Sequence, residues 1–188
     1  EAVSQLLAEK DMQLVIDPVM IAKGGATLLQ QNAIVALKKH LLPMATVITP
    51  NVPEAAVLSG VPISSEADVE QAAKVLLQSG VKCVVMKGGH LSGEKAIDTI
   101  YFANGTTFMM ESERIQTTQT HGTGCTFSAA LTAFLAKGLE MKEAIVEAKK
   151  FVQLAISRPL NIGKGHGPTN HFAYKHFKNE VEVTVVES

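Results

Sequence analysis

T-H-G-T-G-C-T-F-S-A-A, from Thr120 to Ala130, joins a glycine-rich turn to an apolar helical run that Gly138 ends. A turn of this kind at a helix N-terminus directs several backbone N–H groups toward one point, where the helix dipole adds partial positive charge. The spacing differs from that of a P-loop, which needs a Lys-Ser or Lys-Thr pair after its last glycine. The turn therefore predicts an anion site, most often for phosphate, with a simple helix-capping turn as the alternative.

The composition indicates one globular domain. The chain has 188 residues, of which 46% are apolar and 19% charged, and this suits a folded protein with its own core. Its 17 basic and 18 acidic residues nearly cancel, so the charge favours neither nucleic acid nor an acidic membrane as a partner. The two cysteines, Cys83 and Cys125, form neither a C-x-x-C pair nor a disulfide framework. We therefore expect a cytoplasmic protein with no nucleic-acid or membrane partner.

Short apolar runs alternate with helical patterns through the first half of the chain. Strands are predicted at Gln13 to Asp17, Ala45 to Thr49 and Cys83 to Met86, with helical spacing between them. Such alternation is typical of parallel strands joined by right-handed crossovers. Because the runs are continuously apolar, both faces of the predicted sheet should be covered.

The pattern changes in the second half. Two strand-like runs, Asp98 to Ala103 and Thr106 to Glu113, flank Asn104-Gly105, which is the strongest short signal for a hairpin. We expect an antiparallel pair at the edge of the sheet. Gly163 to Pro168 is predicted to be a loop with few constraints of its own, and residues 173–188 an extra tail of uncertain structure.

Polar groups follow each of the three predicted strands, and another polar group lies at the start of the helix after Thr120. They are Asp17 after the first strand, Asn51 and Glu54 after the second, Lys87-Gly88-Gly89 after the third, and the Gly122 to Cys125 turn. In open parallel sheets, ligands bind at the carboxyl ends of the strands. All four groups are therefore expected on one rim, and this convergence is stronger evidence than any single motif.

The residue types on this rim suit phosphoryl transfer. The carboxylates of Asp17 and Glu54 could hold Mg²⁺, and the ammonium of Lys87 could balance phosphate charge. Backbone N–H groups from Gly122 through Thr123 and Gly124 to Cys125 could stabilise the transferring group. A thiol at a helix N-terminus ionises more readily than elsewhere, so Cys125 could accept a proton from an attacking hydroxyl.

Each of these residues also has a purely structural interpretation. Asp17 precedes a proline and suits a turn, and Glu54 favours the dipole of a helix first turn without any metal. Lys87 could be a solvated loop lysine, and Cys125 a small packed helix residue. Residue type and spacing alone leave both interpretations open.

Together the motifs resemble the ribokinase superfamily, and within it the branch of hydroxymethylpyrimidine and phosphomethylpyrimidine kinases. The matching pieces occur in the family's order and span most of the chain. They are I-D-P-V-M-I-A-K-G-G (Ile16 to Gly25), L-L-P-M-A-T-V-I-T-P-N-V-P-E-A (Leu41 to Ala55), V-V-M-K-G-G-H (Val84 to His90), T-H-G-T-G-C-T-F-S-A-A (Thr120 to Ala130) and G-H-G-P-T-N-H-F (Gly165 to Phe172).

The resemblance implies a three-layer α/β/α sandwich, ATP and Mg²⁺ as cofactors, a small pyrimidine as substrate and a homodimer. It assigns Asn51 and Glu54 to the superfamily's N-x-x-E motif, linked to Mg²⁺ and phosphate binding. It also places Lys87, with Gly88 and Gly89, against the ATP phosphates. Most of the superfamily has aspartate as catalytic base where this chain has Cys125, which agrees with the pyrimidine kinases and with their pyridoxal-kinase relatives.

Three alternatives therefore remain for the function. They are a pyrimidine kinase, a pyridoxal kinase of the same fold, and a non-catalytic ligand-binding remnant. Family members carry a further βαβ-type segment before the point that corresponds to Glu1. We accordingly expect 1–188 to be a single ribokinase-like domain that lacks its N-terminal segment.

Overall fold

A computed structural model describes residues 1–22, 25–88, 93–162 and 165–187. The chain has the predicted α/β fold. In chain order its elements are α1 Ala2–Leu7, β1 Val15–Ile16, α2 Gln31–Ala36, β2 Val47–Ile48, α3 Val52–Ser59, α4 Glu66–Gln78, β3 Cys83–Lys87, β4 Lys95–Phe102, β5 Thr107–Glu113, α5 Thr123–Ala136, α6 Met141–Ser157, α7 Ala173–Phe177 and β6 Thr184–Glu187. A π-helical turn, Leu37–Leu41, and a 3-10 turn, Leu42–Met44, continue α2.

Six strands form one mixed sheet in the order β1-β2-β3-β4-β5-β6. The pairs β1/β2 and β2/β3 are parallel, as predicted, and β3/β4 is antiparallel. The Asn104-Gly105 turn joins β4 to β5, with Gly105 at φ +88°, a left-handed conformation that favours glycine. The hairpin was expected at the edge of the sheet, but β6 follows β5 in the strand order, because the end of the chain supplies one more short strand.

The described chain divides into two compact units. The first takes the described residues of 1–88, 98–109 and 187, and the second takes 93–97 and 110–186. Each unit is described by itself below. The assignment of 1–188 to a single domain stays a prediction.

The core of the first unit lies where the parallel strands meet α3 and α4. In the register, Val15 pairs with Val47 and Val47 with Cys83, and each strand is short and apolar. Ile48 and Val84 are fully buried, as is expected for strands covered on both faces. The helices contribute apolar side chains to the same cluster, among them Ala55, Leu58, Ala72, Ala73 and Leu76.

Capping boxes start both long helices of the first unit. The Asn51 side chain accepts a hydrogen bond from the backbone N–H of Glu54, and the Glu54 carboxylate accepts one from Asn51 N, both at 2.8 Å. At α4 the same reciprocal pattern joins Ser65 and Asp68. Such boxes satisfy backbone donors that a helix start leaves without intrahelical partners. The N-x-x-E spacing therefore has a structural use in this chain, whatever else it does.

Asp68 gives the fold a defined response to acid. Its carboxylate accepts hydrogen bonds from Ser64 and Ser65, which lower its pKa from 3.8 to about 2. A lowered folded-state pKa stabilises the fold above the ordinary pKa, and this gain is lost as the pH falls through the folded value. We expect D68A to lower the melting temperature at neutral pH. In melts of both proteins, that difference should shrink between pH 3.8 and about 2; a constant difference would contradict this role.

In the second unit, α5 packs against α6, and the tail covers part of α6. The ring of Tyr174 in α7 lies 5.1 Å from that of Phe151 and 5.7 Å from that of Phe134 between ring centroids. Its hydroxyl donates a hydrogen bond to the carboxylate of Glu147. The tail thus contains a helix and a strand with defined contacts. No helix within the described ranges is long and apolar enough to cross a membrane.

Candidate functional site

The carboxyl ends of the three parallel strands in the first unit bring polar residues together. Asp17 directly follows β1, Asn51 lies three residues past β2, and Lys87 ends β3. The ammonium of Lys87 lies 3.0 Å from Asp17 Oδ1, and its backbone N–H donates to Pro50 O at 2.9 Å. A parallel bridge also pairs Asn51 with Lys87. Residues 70 positions apart in sequence, Asp17 and Lys87, are therefore direct neighbours.

The two carboxylate oxygens of Asp17 differ in their hydrogen bonds. Oδ1 accepts hydrogen bonds from Lys87 and, at 3.2 Å, from the hydroxyl of Thr49. Oδ2 is buried, and no described residue donates a hydrogen bond to it. A buried carboxylate oxygen without a donor is costly unless a ligand satisfies it. Asp17 therefore fits the predicted contact with Mg²⁺, directly or through a water.

Glu54 fits a metal less well. It is 7% exposed, and its carboxylate accepts hydrogen bonds from the backbone of Asn51 and of Met20. Burial raises the pKa of Glu54 above its ordinary 4.5, and the charge of Asp17 adds to this, while the Asn51 hydrogen bond and the charge of Lys87 oppose it. Within the described ranges, no three His, Cys, Asp or Glu side chains cluster as a metal cage. Any Mg²⁺ here would therefore depend largely on water and substrate oxygens.

Gly88 continues the first unit's polar end, and Gly89 lies outside the described residues. The backbone N–H of Gly88 donates to Asp98 Oδ1 at 3.0 Å, and both groups are buried. Asp98 is not among the candidate residues predicted from the sequence. The sequence signal for it was only a carboxylate at the start of the strand-like run D-T-I-Y-F. Its pairing with Lys87 depends on the antiparallel register, which the structure shows.

In the second unit, the glycine-rich turn opens α5 as predicted. Gly122 is the N-cap residue of α5 and has a left-handed conformation, φ 82°, which favours glycine. Because glycine has no side chain, the helix end is left open. The Thr123 hydroxyl donates to Thr120 O at 2.8 Å, which fixes the turn. Gly124 follows, and Cys125 is exposed in the first helical turn. The backbone thus forms the helix N-terminus that an anion site needs.

The segment Gly167 to His171 holds this turn on two sides. The backbone N–H of His121 donates to Gly167 O at 3.1 Å. On the other side, the hydroxyls of Thr126 and Thr169 lie 3.1 Å apart, and each lies within hydrogen-bond distance of His171 Nε2. Gly163 to Pro168 was predicted to be a loop with few constraints of its own. Contacts from a distant segment hold its described part, since Gly167 O accepts the His121 N–H and Pro168 forms a bridge with His121. Local sequence patterns carry no signal for such long-range contacts.

Gly167 leaves no room for a side chain. A Cβ atom at this position would lie 1.5 Å from Oε1 of the buried Gln119 side chain. We expect G167A to lower the free energy of unfolding by about 1–3 kcal/mol, the usual range for overpacking. Urea unfolding of G167A, Q119A and the double variant measures the coupling energy between the two positions. In the double variant, Q119A should restore most of the stability that G167A loses. G165A is the control, because its Cβ would meet no atom of the described residues within 4 Å; equal losses in both would contradict this view.

The family model and the curated relatives agree on one family of enzymes. Residues 1–170 match the family model described as Phosphomethylpyrimidine kinase. The chain is 54% identical over 178 residues to the Hydroxymethylpyrimidine/phosphomethylpyrimidine kinase of Haemophilus influenzae, with 93% of this chain and 66% of the relative covered. The protein of the same name from Bacillus subtilis is 47% identical, with 87% and 60% covered. The chain thus spans less than two thirds of the length of these curated relatives.

A solved structure extends the similarity to the fold. It is that of the pyridoxal kinase from Staphylococcus aureus in complex with AMP-PCP and pyridoxal. The TM-score is 0.87 at 35% sequence identity, and the match covers all of this chain and 67% of the other. The predicted ribokinase-like α/β fold and the resemblance stated from the motifs are both confirmed.

Proposed function

The chain belongs to the phosphomethylpyrimidine kinase family, and on this premise we propose that it takes part in thiamine biosynthesis as an ATP-dependent kinase. Its substrates would be 4-amino-5-hydroxymethyl-2-methylpyrimidine and then the resulting monophosphate. The names of its relatives from Haemophilus influenzae and Bacillus subtilis support this choice of substrate.

The observation that carries the proposal is the turn from Gly122 to Cys125. A glycine N-cap and an exposed cysteine in the first turn of α5 combine an anion-binding helix end with a proton acceptor. Phosphoryl transfer depends mainly on positioning and on stabilising the charge of the transferring group. In the proposed reaction the substrate oxygen bonds to the γ-phosphorus, the bond to ADP breaks, and the hydroxyl proton passes to Cys125.

The first unit would contribute to nucleotide binding. Its Lys87 would contact ATP phosphate, with Asn51, Gly88 and Gly89 assigned to the same task by the resemblance. Mg²⁺ would neutralise phosphate charge, and Asp17 Oδ2, to which no described residue donates a hydrogen bond, supports that residue as its contact. Glu54 would act near the metal mainly through charge, since backbone N–H groups of Asn51 and Met20 already bind its carboxylate.

A coupled assay for ADP release tests the proposal. The chain is incubated with Mg²⁺, ATP and the hydroxymethyl pyrimidine, and product phosphorylation is followed by mass spectrometry. ADP formed in proportion to phosphorylated pyrimidine supports the kinase. Binding of the pyrimidine without release of ADP would instead support a non-catalytic ligand-binding remnant.

Pyridoxal kinase is the second candidate. The similarity of the entire chain to a pyridoxal kinase, at a TM-score of 0.87, favours it, and Cys125 suits both enzymes. The ratio of kcat/KM for the hydroxymethyl pyrimidine to that for pyridoxal separates the two. A ratio below one would reverse the order of these proposals.

The setting of the reaction is part of the same proposal. We expect the protein to act in the cytoplasm on a small molecule, as a homodimer. Sedimentation equilibrium of the purified chain tests the homodimer, and a monomeric mass at micromolar concentration would contradict it.

A further inference from the structure

Asp98 is a buried carboxylate that the proposed reaction does not use. Its side chain lies in β4 of the first unit and is 5% exposed. In the antiparallel register it pairs with Lys87, the last residue of β3. Its Oδ1 accepts the backbone N–H of Gly88 at 3.0 Å. A buried carboxylate is expensive, so a specific role is expected of it.

The strand ladder explains why a side chain is used there. Successive N–H groups of an extended strand point to opposite sides. The N–H of Lys87 points toward the β2 side, where it donates to Pro50 O at 2.9 Å. The N–H of Gly88 therefore points toward β4, just past the Lys87–Asp98 pair that ends the register. The Asp98 carboxylate takes the place of a backbone acceptor at this point.

We infer that Asp98 is a positioning residue for Lys87 and Gly88, an inference that rests on the contact with ATP phosphate proposed above for these two residues. By accepting the N–H of Gly88, Asp98 holds in place the residue that directly follows Lys87. Lys87 is then held on both sides, by Pro50 through its backbone and by Asp17 through its ammonium. A carboxylate would repel ATP phosphate in direct contact, whereas the hydrogen bond from Gly88 to Asp98 supports a positioning role.

Two variants separate acceptor geometry from charge. D98A removes the acceptor, and we expect ATP to bind about tenfold to hundredfold more weakly, the equivalent of one hydrogen bond to a charged group. D98N keeps an acceptor oxygen without the charge, and ATP should bind to it only about threefold to tenfold more weakly, because a neutral acceptor retains roughly half the strength. Calorimetric titration with ATP and Mg²⁺ measures both. Exchange of the Gly88 amide hydrogen, followed by NMR, should accelerate in D98A and less in D98N.

The matched control is D68A. Asp68 also accepts backbone N–H groups in the first unit, from Ser64 and Ser65, but at the start of α4. D68A should lower the melting temperature and leave ATP affinity unchanged. This comparison separates loss of stability from loss of positioning, because both variants remove a carboxylate that accepts backbone hydrogen bonds.

The outcomes distinguish this inference from the proposed function. Normal ATP affinity in D98A, or equally weak binding in D98A and D98N, would overturn the positioning role alone. Absence of ATP binding by the unmodified chain would overturn the proposed function and this inference together. If D98A does not fold, D98E replaces it, because it keeps the charge and displaces the acceptor. Weaker ATP binding by D98E than by D98N supports positioning, and the reverse order overturns it.

Discussion

Replacing Cys125 with alanine is expected to lower kcat by about 10²–10⁴-fold while ATP binding is retained, the usual range for a general base. Cys125 is exposed in the first turn of α5, and alanine is the best helix former, so the helix should persist. The backbone N–H groups of the turn are also kept, which preserves the anion site. Steady-state kinetics with the pyrimidine, together with calorimetric titration of ATP, measures both expectations.

Cys83 supplies the matched control for this variant. It lies in β3 with 1% exposure, and burial raises the pKa of its thiol to about 12. C83A should therefore reduce stability through a small cavity and leave kcat nearly unchanged. An unchanged kcat in C125A would assign Cys125 to packing and remove the proposed proton acceptor. A similar fall in kcat in both variants would point to a general loss of structure.

Local sequence patterns predicted most of the strands and the hairpin. The three parallel strands were located because each is a short apolar run ended by a proline or a polar turn, and Asn104-Gly105 specified the hairpin. The start of α5 at the Gly122 turn was also predicted. Glycine adopts the left-handed conformation of this N-cap without strain. β6 lies in the tail, residues 173–188, whose structure stayed uncertain from the sequence, because the alternation there is poor and the strand depends on its pairing with β5.

The neighbours of the candidate residues could not be predicted in the same way. The bond between Asp98 and Gly88 depends on strand register, and that between Thr126 and Thr169 depends on how distant segments meet. The N-x-x-E motif predicts residues for Mg²⁺ and phosphate binding, and in the structure Asn51 and Glu54 also form a capping box at the start of α3. Residue type suggests chemistry, whereas the partner that already occupies a side chain is visible only in the structure.

The pair formed by Lys87 and Asp17 yields the second large effect. Their side chains are 17% and 12% exposed, and their charged atoms lie 3.0 Å apart. K87M leaves the Asp17 carboxylate buried without its cation, so we expect a loss of about 3–5 kcal/mol in the free energy of unfolding. K87M/D17N removes both charges and should recover much of that loss, because the amide oxygen that D17N introduces could still accept the hydrogen bond from Thr49. Urea unfolding of the single and double variants gives the coupling energy.

The control for this cycle is K74M, which breaks the exposed pair of Lys74 and Glu70 in the same unit. Exposed pairs contribute about 0–1 kcal/mol, so K74M should leave the free energy of unfolding nearly unchanged. A loss in K87M no larger than that in K74M would contradict the buried-pair argument. ATP affinity then separates structure from function in the double variant. If Lys87 binds phosphate through its charge, K87M/D17N regains stability and not affinity. If both return together, Lys87 serves mainly to neutralise Asp17, and the phosphate contact must lie elsewhere.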